Sequence, residues 1–412
     1  MVEKIQLFRN KLRTKKWVDR LFVIAISTLF SLYLFIFCAF GGRPKLFLLS
    51  YPIIGLLLLF AFLYLFLWFE KIKDNVSWNL LIPLVFAFVV FFTTLIGTKD
   101  FSYFKTISLL IITLYISFIC YICIGNLKTI LYLIVLPIFI FSIYFFIHYF
   151  SEIVHYSGQR LGSFFGNEND VGLNLYFGFV LATILVFSFK QYWIAPLGLF
   201  TLFVSITTGS KKVIILSFLF LILLVFILFG KNKIVSIVLI GTIVTLLILF
   251  FSLPAFANIR NRLFTGIFIF SSNKVDASSI NRLLFFKSSF YLGSKSLLFG
   301  YGGSAFAKMS GFNAYSHNNL GEILCDFGIF GIMFFYVNYP IIGFFTNKKN
   351  SAHTLVNYTF LMTFIFCSFT AIFFDTKIYY VLFALSLFLN SNNMKYIKSN
   401  RIKKNTYCEI YI

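Results

Sequence analysis

The side chains in this sequence that could do chemistry stand in three connections between long apolar runs. Residues 151–170 read SEIVHYSGQRLGSFFGNEND, with Arg160 the one Lys or Arg beside Gly162, Phe164, Phe165, Gly166, Asn167 and Asn169. Glycines let backbone amides approach an anion and the planar guanidinium fork suits phosphate, although an ordinary polar turn has the same composition. Residues 207–212, Thr-Thr-Gly-Ser-Lys-Lys, place Lys211 and Lys212 side by side in a tight turn, which fits an anionic ligand or anchoring at lipid headgroups. The third connection, 257–319, carries Arg260, Arg262, Lys274, Arg282, Lys287, Lys295 and Lys308 against the single acid Asp276. Such a local excess points to a lipid headgroup or a phosphorylated substrate. Around Arg282 and Lys287 the apolar pattern from Ser279 to Phe290 is that of a helix at a membrane interface. Gly300-Tyr301-Gly302-Gly303 reads as a flexible turn, and Tyr315-Ser316-His317-Asn318-Asn319 follows it just before an apolar run. His317 is the only histidine of this segment. Glu322 and Asp326, four residues apart, share one helix face after it. They are placed to orient the imidazole or hold a sugar hydroxyl, or to serve as helix N-terminal charges favoured by the dipole.

The elements that must position these residues are membrane spans. Of 412 residues, 60% are hydrophobic and 12% charged, with a mean hydropathy of +0.93. Soluble domains carry about 25% charged residues, so a soluble fold is excluded. The net charge of +22 comes from Lys and Arg punctuating the apolar runs, where helix ends tolerate them, and no nucleic acid partner is expected. Apolar runs fall at 21–40, 46–69, 76–97, 106–125, 129–150, 171–189, 193–209, 213–230, 234–256, 320–345, 354–373 and 378–390, the seventh and twelfth being weakest. At about 20 residues per span, the expected fold is an all-α polytopic membrane protein of about 12 transmembrane helices. Residues 1–20 read as a basic interfacial helix, 21–390 as one integral domain and 391–412 as a basic tail. The first apolar run is too long for a signal-peptide core and is expected to stay as an anchor. With the N-terminus cytoplasmic, the connections on its side carry more than twice the Lys and Arg of those opposite, once the long segment 257–319 is set aside. Both termini are therefore expected inside and the three connections outside. Cys120 and Cys123 form a CxxC inside an apolar run without further ligands, so packing, not a metal site, is expected there.

These residues resemble the O-antigen ligase and O-antigen polymerase superfamily of bacterial envelope enzymes, over roughly 160–331. One family motif is a histidine followed by Asn, nine residues and Gly-x-x-Gly, matched by His317-Asn318, the stretch Asn319 to Phe327, and Gly328-Ile329-Phe330-Gly331. Arg282 and Gly293 match a second pattern, an Arg followed by ten residues and Gly. The stretch from Arg160 through Gly166-Asn167-Glu168-Asn169 is similar to the Arg/Gly/Asn loop of these enzymes. Thr208-Gly209-Ser210-Lys211 resembles their turn ending in Ser-Arg, with Lys where Arg is usual. Lys supplies a point charge rather than a bidentate fork.

The resemblance implies a GT-C-like fold and metal-independent, inverting glycosyl transfer from sugars on undecaprenyl diphosphate, with no cofactor. Arg282, Arg160 and Lys211 would neutralise the departing lipid diphosphate. His317 would be the general base, supported by Asn318, Glu322 and Asp326. It further implies a place in the bacterial inner membrane among membrane lipid, with the active site on the outer face and a chain-length regulator and a flippase as partners. The expected activity is polymerisation of lipid-linked repeats into O-antigen, capsule or exopolysaccharide. Ligation of glycan to lipid A core is the alternative within the class. A lipid-linked oligosaccharide flippase is the alternative outside it, but would more naturally place ionisable residues along its spans, which are nearly free of charge.

Overall fold

The computed structural model describes residues 16–41, 46, 48–72, 81–155, 160–252, 260, 277–341, 351–370 and 376–389. Among them all regular structure is helical, and each of the twelve apolar runs carries a helix. In chain order these are α1 (Lys16–Phe40), α2 (Ser50–Ile72), α3 (Leu81–Ile96), α4 (Phe101–Ile124), α5 (Leu127–His148), the short α6 (Phe150–Val154) and α7 (Glu168–Phe189). A 3₁₀ turn, Tyr192–Ile194, leads into α8 (Ala195–Thr207), then α9 (Lys211–Phe229), α10 (Lys233–Ser252), α11 (Ala277–Lys295), the short α12 (Ala305–Met309) and α13 (Asn319–Ile332). A π-helical stretch, Met333–Ile341, extends α13, and α14 (Ser351–Thr370) and α15 (Lys377–Leu389) follow.

The protein is thus a multi-pass membrane protein. Seven stretches, in α1, α2, α4, α5, α7, α9 and α13 with its extension, are long and apolar enough to cross a membrane. Shorter apolar helices are Leu81–Ile96, Tyr192–Thr207, Lys233–Thr245 and Lys377–Leu389. The expected helix at 1–20 lies outside the described residues except for its last five positions, as do the tail 391–412, the end of the ninth run at 253–256, and residues 257–259 and 261–276 of the long connection. What remains of that connection is substantially helical, in α11 and α12.

Side-chain caps set several boundaries. Asp100 caps α4 by accepting from the Tyr103 N–H at 3.2 Å, and Asn126 caps α5 through Thr129 at 3.3 Å. Asn167 receives the Asn169 N–H at the start of α7. Gly125, at φ +68°, ends α4 in the left-handed conformation glycine adopts freely.

By internal contacts the chain forms two compact units: Met1–Ile26 with Leu58–Gly125 and Ser289–Ile412, and Ser27–Leu57 with Asn126–Ser288. In the first, Phe86 of α3 is stacked on Phe334 (3.9 Å, 3°) and edge-on to Phe327 and Phe335, so that the end of α13 is held by aromatic packing. Almost every residue of α15 is buried, and Tyr121 of α4 donates to its Val381 carbonyl. In the second unit α7 is the enclosed helix, packed by α5 and α8. Phe165, just before it, is buried edge-on against Phe141 and Phe145's neighbour Tyr144, which fixes the loop bearing Arg160.

Candidate functional site

His317 sits in a loop that its neighbours determine completely. Asn318 has the extended backbone of an N-cap, and its Oδ1 accepts the Gly321 N–H to start α13. The same side chain donates from Nδ2 to Ser289 Oγ (3.3 Å) and to the Ser316 carbonyl (3.2 Å). On the other side, the Ser316 hydroxyl donates to the Asn318 carbonyl at 2.9 Å and the Ser316 N–H donates to Glu322 Oε2 at 2.6 Å. Between these two buried residues His317 takes φ +57°. For a residue with a Cβ that conformation costs about 1–2 kcal/mol, and it persists where the surroundings over-determine it. The imidazole is half-buried and its ring lies 4.1 Å, centroid to centroid, from that of exposed Tyr315. The His-Asn pair of the motif therefore has a physical reason: the asparagine caps the helix and the histidine is presented from the turn that the cap creates.

Glu322 and Asp326 share a face of α13 as the sequence requires, and both are buried. Their described hydrogen bonds go to loop backbone. Glu322 holds Ser316, one residue before His317. Asp326 accepts from the Ala305 N–H at 2.8 Å and the Ser304 N–H at 3.3 Å, at the start of α12. These carboxylates act on the conformation of the His317 loop and of the glycine turn.

That turn departs from the flexible element expected. The Tyr301 N–H donates to the Cys325 carbonyl and the Gly302 N–H to that of Asp326, both at 2.9 Å. Gly303 receives a hydrogen bond from Thr98 Oγ1 (2.7 Å) and donates its N–H to Thr94 Oγ1, and Lys308 forms an ion pair with Asp100 at 3.1 Å. The segment is a strap between α13 and the α3–α4 turn. Composition could not show this, because Thr94, Thr98 and Asp100 lie about 200 residues earlier and glycine signals turns without saying what clamps them.

The glycines of the motifs are places of close approach. A Cβ on Gly293 would stand 2.6 Å from Leu324 Cγ, so only glycine lets α11 lie against α13 there. Gly328 breaks α13 with φ +61° and ψ −155°, a region essentially confined to glycine. The break frees two backbone donors, and these bond across to the turn after α11: Ile329 N–H to the Leu297 carbonyl at 2.7 Å and Phe330 N–H to that of Leu298 at 3.1 Å.

In the second unit, Arg160 and the Thr208–Lys211 turn meet at Asn169. Its Oδ1 accepts from Arg160 Nη2 and from Ser210 Oγ, each at 3.0 Å, and Arg160 also faces Glu168 at 3.5 Å. Lys211, half-buried, begins α9 one residue after Ser210. Arg160 and Lys211 are thus brought to one locality by a residue that the loop pattern contained but that had no separate role in the sequence reading. Arg282 is exposed near the start of α11. Ser289 and Ser316, which tie Asn318 in place, carried no signal in the sequence, since serines near apolar runs are common packing residues.

Residues 196–336 match the sequence model of a family described as O-Antigen ligase. Residues 196–336, about a third of the chain, are thus similar to the O-antigen ligase and polymerase superfamily. The matched stretch includes Lys211, Arg282, Gly293, His317, Asn318, Glu322, Asp326, Gly328 and Gly331, while Arg160 precedes it. A search of curated proteins finds no match. This similarity supports a role for the membrane protein in polysaccharide assembly of the O-antigen ligase or polymerase type.

Proposed function

We propose that the protein is a polymerase that joins undecaprenyl-diphosphate-linked oligosaccharide repeats into O-antigen, capsule or exopolysaccharide, at the outer face of the bacterial inner membrane with both termini cytoplasmic. The observation that carries the reading is the His317 loop: the one histidine of the matched stretch is held in a left-handed turn by buried groups on both sides. Order of that kind is what a general base needs, because proton transfer demands hydrogen-bond reach to a defined atom.

In this mechanism the His317 imidazole removes the proton of the acceptor hydroxyl as that oxygen attacks the anomeric carbon. The bond from that carbon to the lipid diphosphate breaks on the opposite face, and the configuration inverts. Arg160, Arg282 and Lys211 offset the charge that grows on the departing diphosphate, so the transfer uses no metal. Arg160 and Arg282 offer bidentate forks, Lys211 a point charge. Asn318, Glu322 and Asp326 are positioning residues. A chain-length regulator and a flippase for the donor are the partners this activity calls for.

The test is the purified protein in liposomes with the lipid-linked repeat as its only glycan. A ladder of products one repeat apart is expected. Failure to elongate, with transfer when lipid A core is added, would make the protein a ligase. Donor crossing the bilayer without any new glycosidic bond would overturn the enzyme reading altogether.

A further inference from the structure

Residues 277–319 contain four basic residues, Arg282, Lys287, Lys295 and Lys308, and no Asp or Glu, and the sequence gives an interfacial position only to the stretch around Arg282 and Lys287. The register of the end of α11 against α13 locates the stretch that follows. Ser289 lies level with the first turn of α13, through Asn318, and Gly293 lies level with Leu324. Leu297 and Leu298 then bond to Ile329 and Phe330. The chain therefore descends alongside α13 in the same direction, reaches its lowest point at Leu298 and Phe299, and climbs back to Gly302 beside Asp326.

Charged groups mark where water begins. Asp100 and Lys308 pair at the level of the strap, where Thr98 N–H meets the Tyr301 carbonyl. Ile329 and Phe330 are three to four residues further along α13 than Asp326, beyond the break at Gly328. The turn thus lies below the charged level, on the side where α13 and the Phe86 stack enter apolar surroundings. There Leu297, Leu298 and Phe299 are 48%, 66% and 50% exposed, three consecutive large apolar side chains, the Phe299 ring lying 6.2 Å from that of Phe330. Their backbone is nonetheless satisfied: the Leu297 and Leu298 carbonyls accept from α13, and the Gly300 N–H donates to Ser296. Apolar side chains facing outward on a hydrogen-bonded backbone are what hydrocarbon tolerates. Above them stands an interfacial pair, Tyr291, 62% exposed, with the Lys295 ammonium 4.3 Å from its ring centroid. Tyrosine and lysine of this kind sit at headgroup level, and the cation complements lipid phosphate.

We infer that the turn Leu297-Leu298-Phe299 inserts into the bilayer leaflet that α13 enters, with Tyr291 and Lys295 at the phospholipid headgroups. The occupant of this exposed face is phospholipid. The insertion fixes the height of the α11–α13 pair, and so of the His317 loop, relative to the membrane surface.

The test uses the full chain carrying Cys408→Ser, the five described cysteines being buried. Nitroxide labels are attached at Leu298→Cys and, as the aqueous reference, at Asn313→Cys on the exposed loop. In nanodiscs of phosphatidylglycerol and phosphatidylcholine, collision with oxygen should exceed collision with a water-soluble nickel chelate at 298, and the order should reverse at 313. A label at Tyr291→Cys should read between the two. Nickel collision at 298 equal to that at 313 would overturn the inference. So would a label at 298 shielded from both reagents, which would mean that protein rather than lipid covers the turn. Neither readout depends on glycosyl transfer, so the result stands apart from the proposed activity.

Discussion

Glu322→Ala isolates the contribution of the strap that holds the His317 loop. It removes the acceptor of the Ser316 N–H and leaves that donor buried. Leaving a buried donor unsatisfied costs about 1–3 kcal/mol. The left-handed backbone of His317 opposes the strap with about 1–2 kcal/mol. Strap and strain are of similar size, so without the strap the loop relaxes and the fraction of molecules presenting the imidazole falls. At roughly 1.4 kcal/mol per factor of ten, kcat should drop about 10- to 100-fold. Donor KM should change little, because Glu322 is assigned no contact with the diphosphate. The assay is initial-rate elongation of the lipid-linked repeat by reconstituted protein, with protein level and helix content checked by circular dichroism. Glu322→Gln, whose side-chain carbonyl still accepts from Ser316, should recover most of the rate. Wild-type kcat in Glu322→Ala would refute the strap. A Glu322→Gln protein as slow as the alanine variant would show that negative charge, not hydrogen-bond acceptance, is what the loop requires.

Gly328→Ala should lower the thermal midpoint of the purified protein markedly. The backbone conformation costs a residue with a Cβ about 1–3 kcal/mol, and the added methyl meets the Leu298 and Leu297 backbone at about 2.5 Å, which cannot yield; an unchanged midpoint would contradict the close approach. Asn169→Ala removes the common acceptor of Arg160 and Ser210, two hydrogen bonds of about 0.5–1.5 kcal/mol each. Its donor KM should rise several-fold while Asn169→Asp, which keeps an acceptor, stays nearer wild type, and unaltered donor KM in Asn169→Ala would detach this cluster from diphosphate binding.

The helices were legible because span length and apolarity are local properties: each of the twelve runs carries one among the described residues. Asp100, Asn126, Asn167 and Asn318 cap helices in the structure, as their residue types favour, although the apolar pattern alone singles out none of them. His317-Asn318 and the glycine at 328 were legible as a pattern, but their reason was not. That reason lies in pairings across long separations, Ser289 with Asn318 and Leu297 with Ile329, which no periodicity encodes. The glycine turn was misread for the same cause: Gly300 to Gly303 looked mobile in isolation, and Asp326 and Thr94 hold it. Asn169 was one of several polar residues in its loop, and only the meeting of two distant loops singles it out.

The decisive measurement is the elongation rate of His317→Ala against wild type in liposomes containing only the lipid-linked repeat. General-base catalysis contributes roughly 10²- to 10⁴-fold, so the variant should elongate slower by that factor, at normal protein level and with near-normal donor binding. The wild-type product should carry the inverted anomeric configuration at each new linkage. Elongation by His317→Ala at the wild-type rate, or a product that retains the donor's configuration, would contradict the role given to His317.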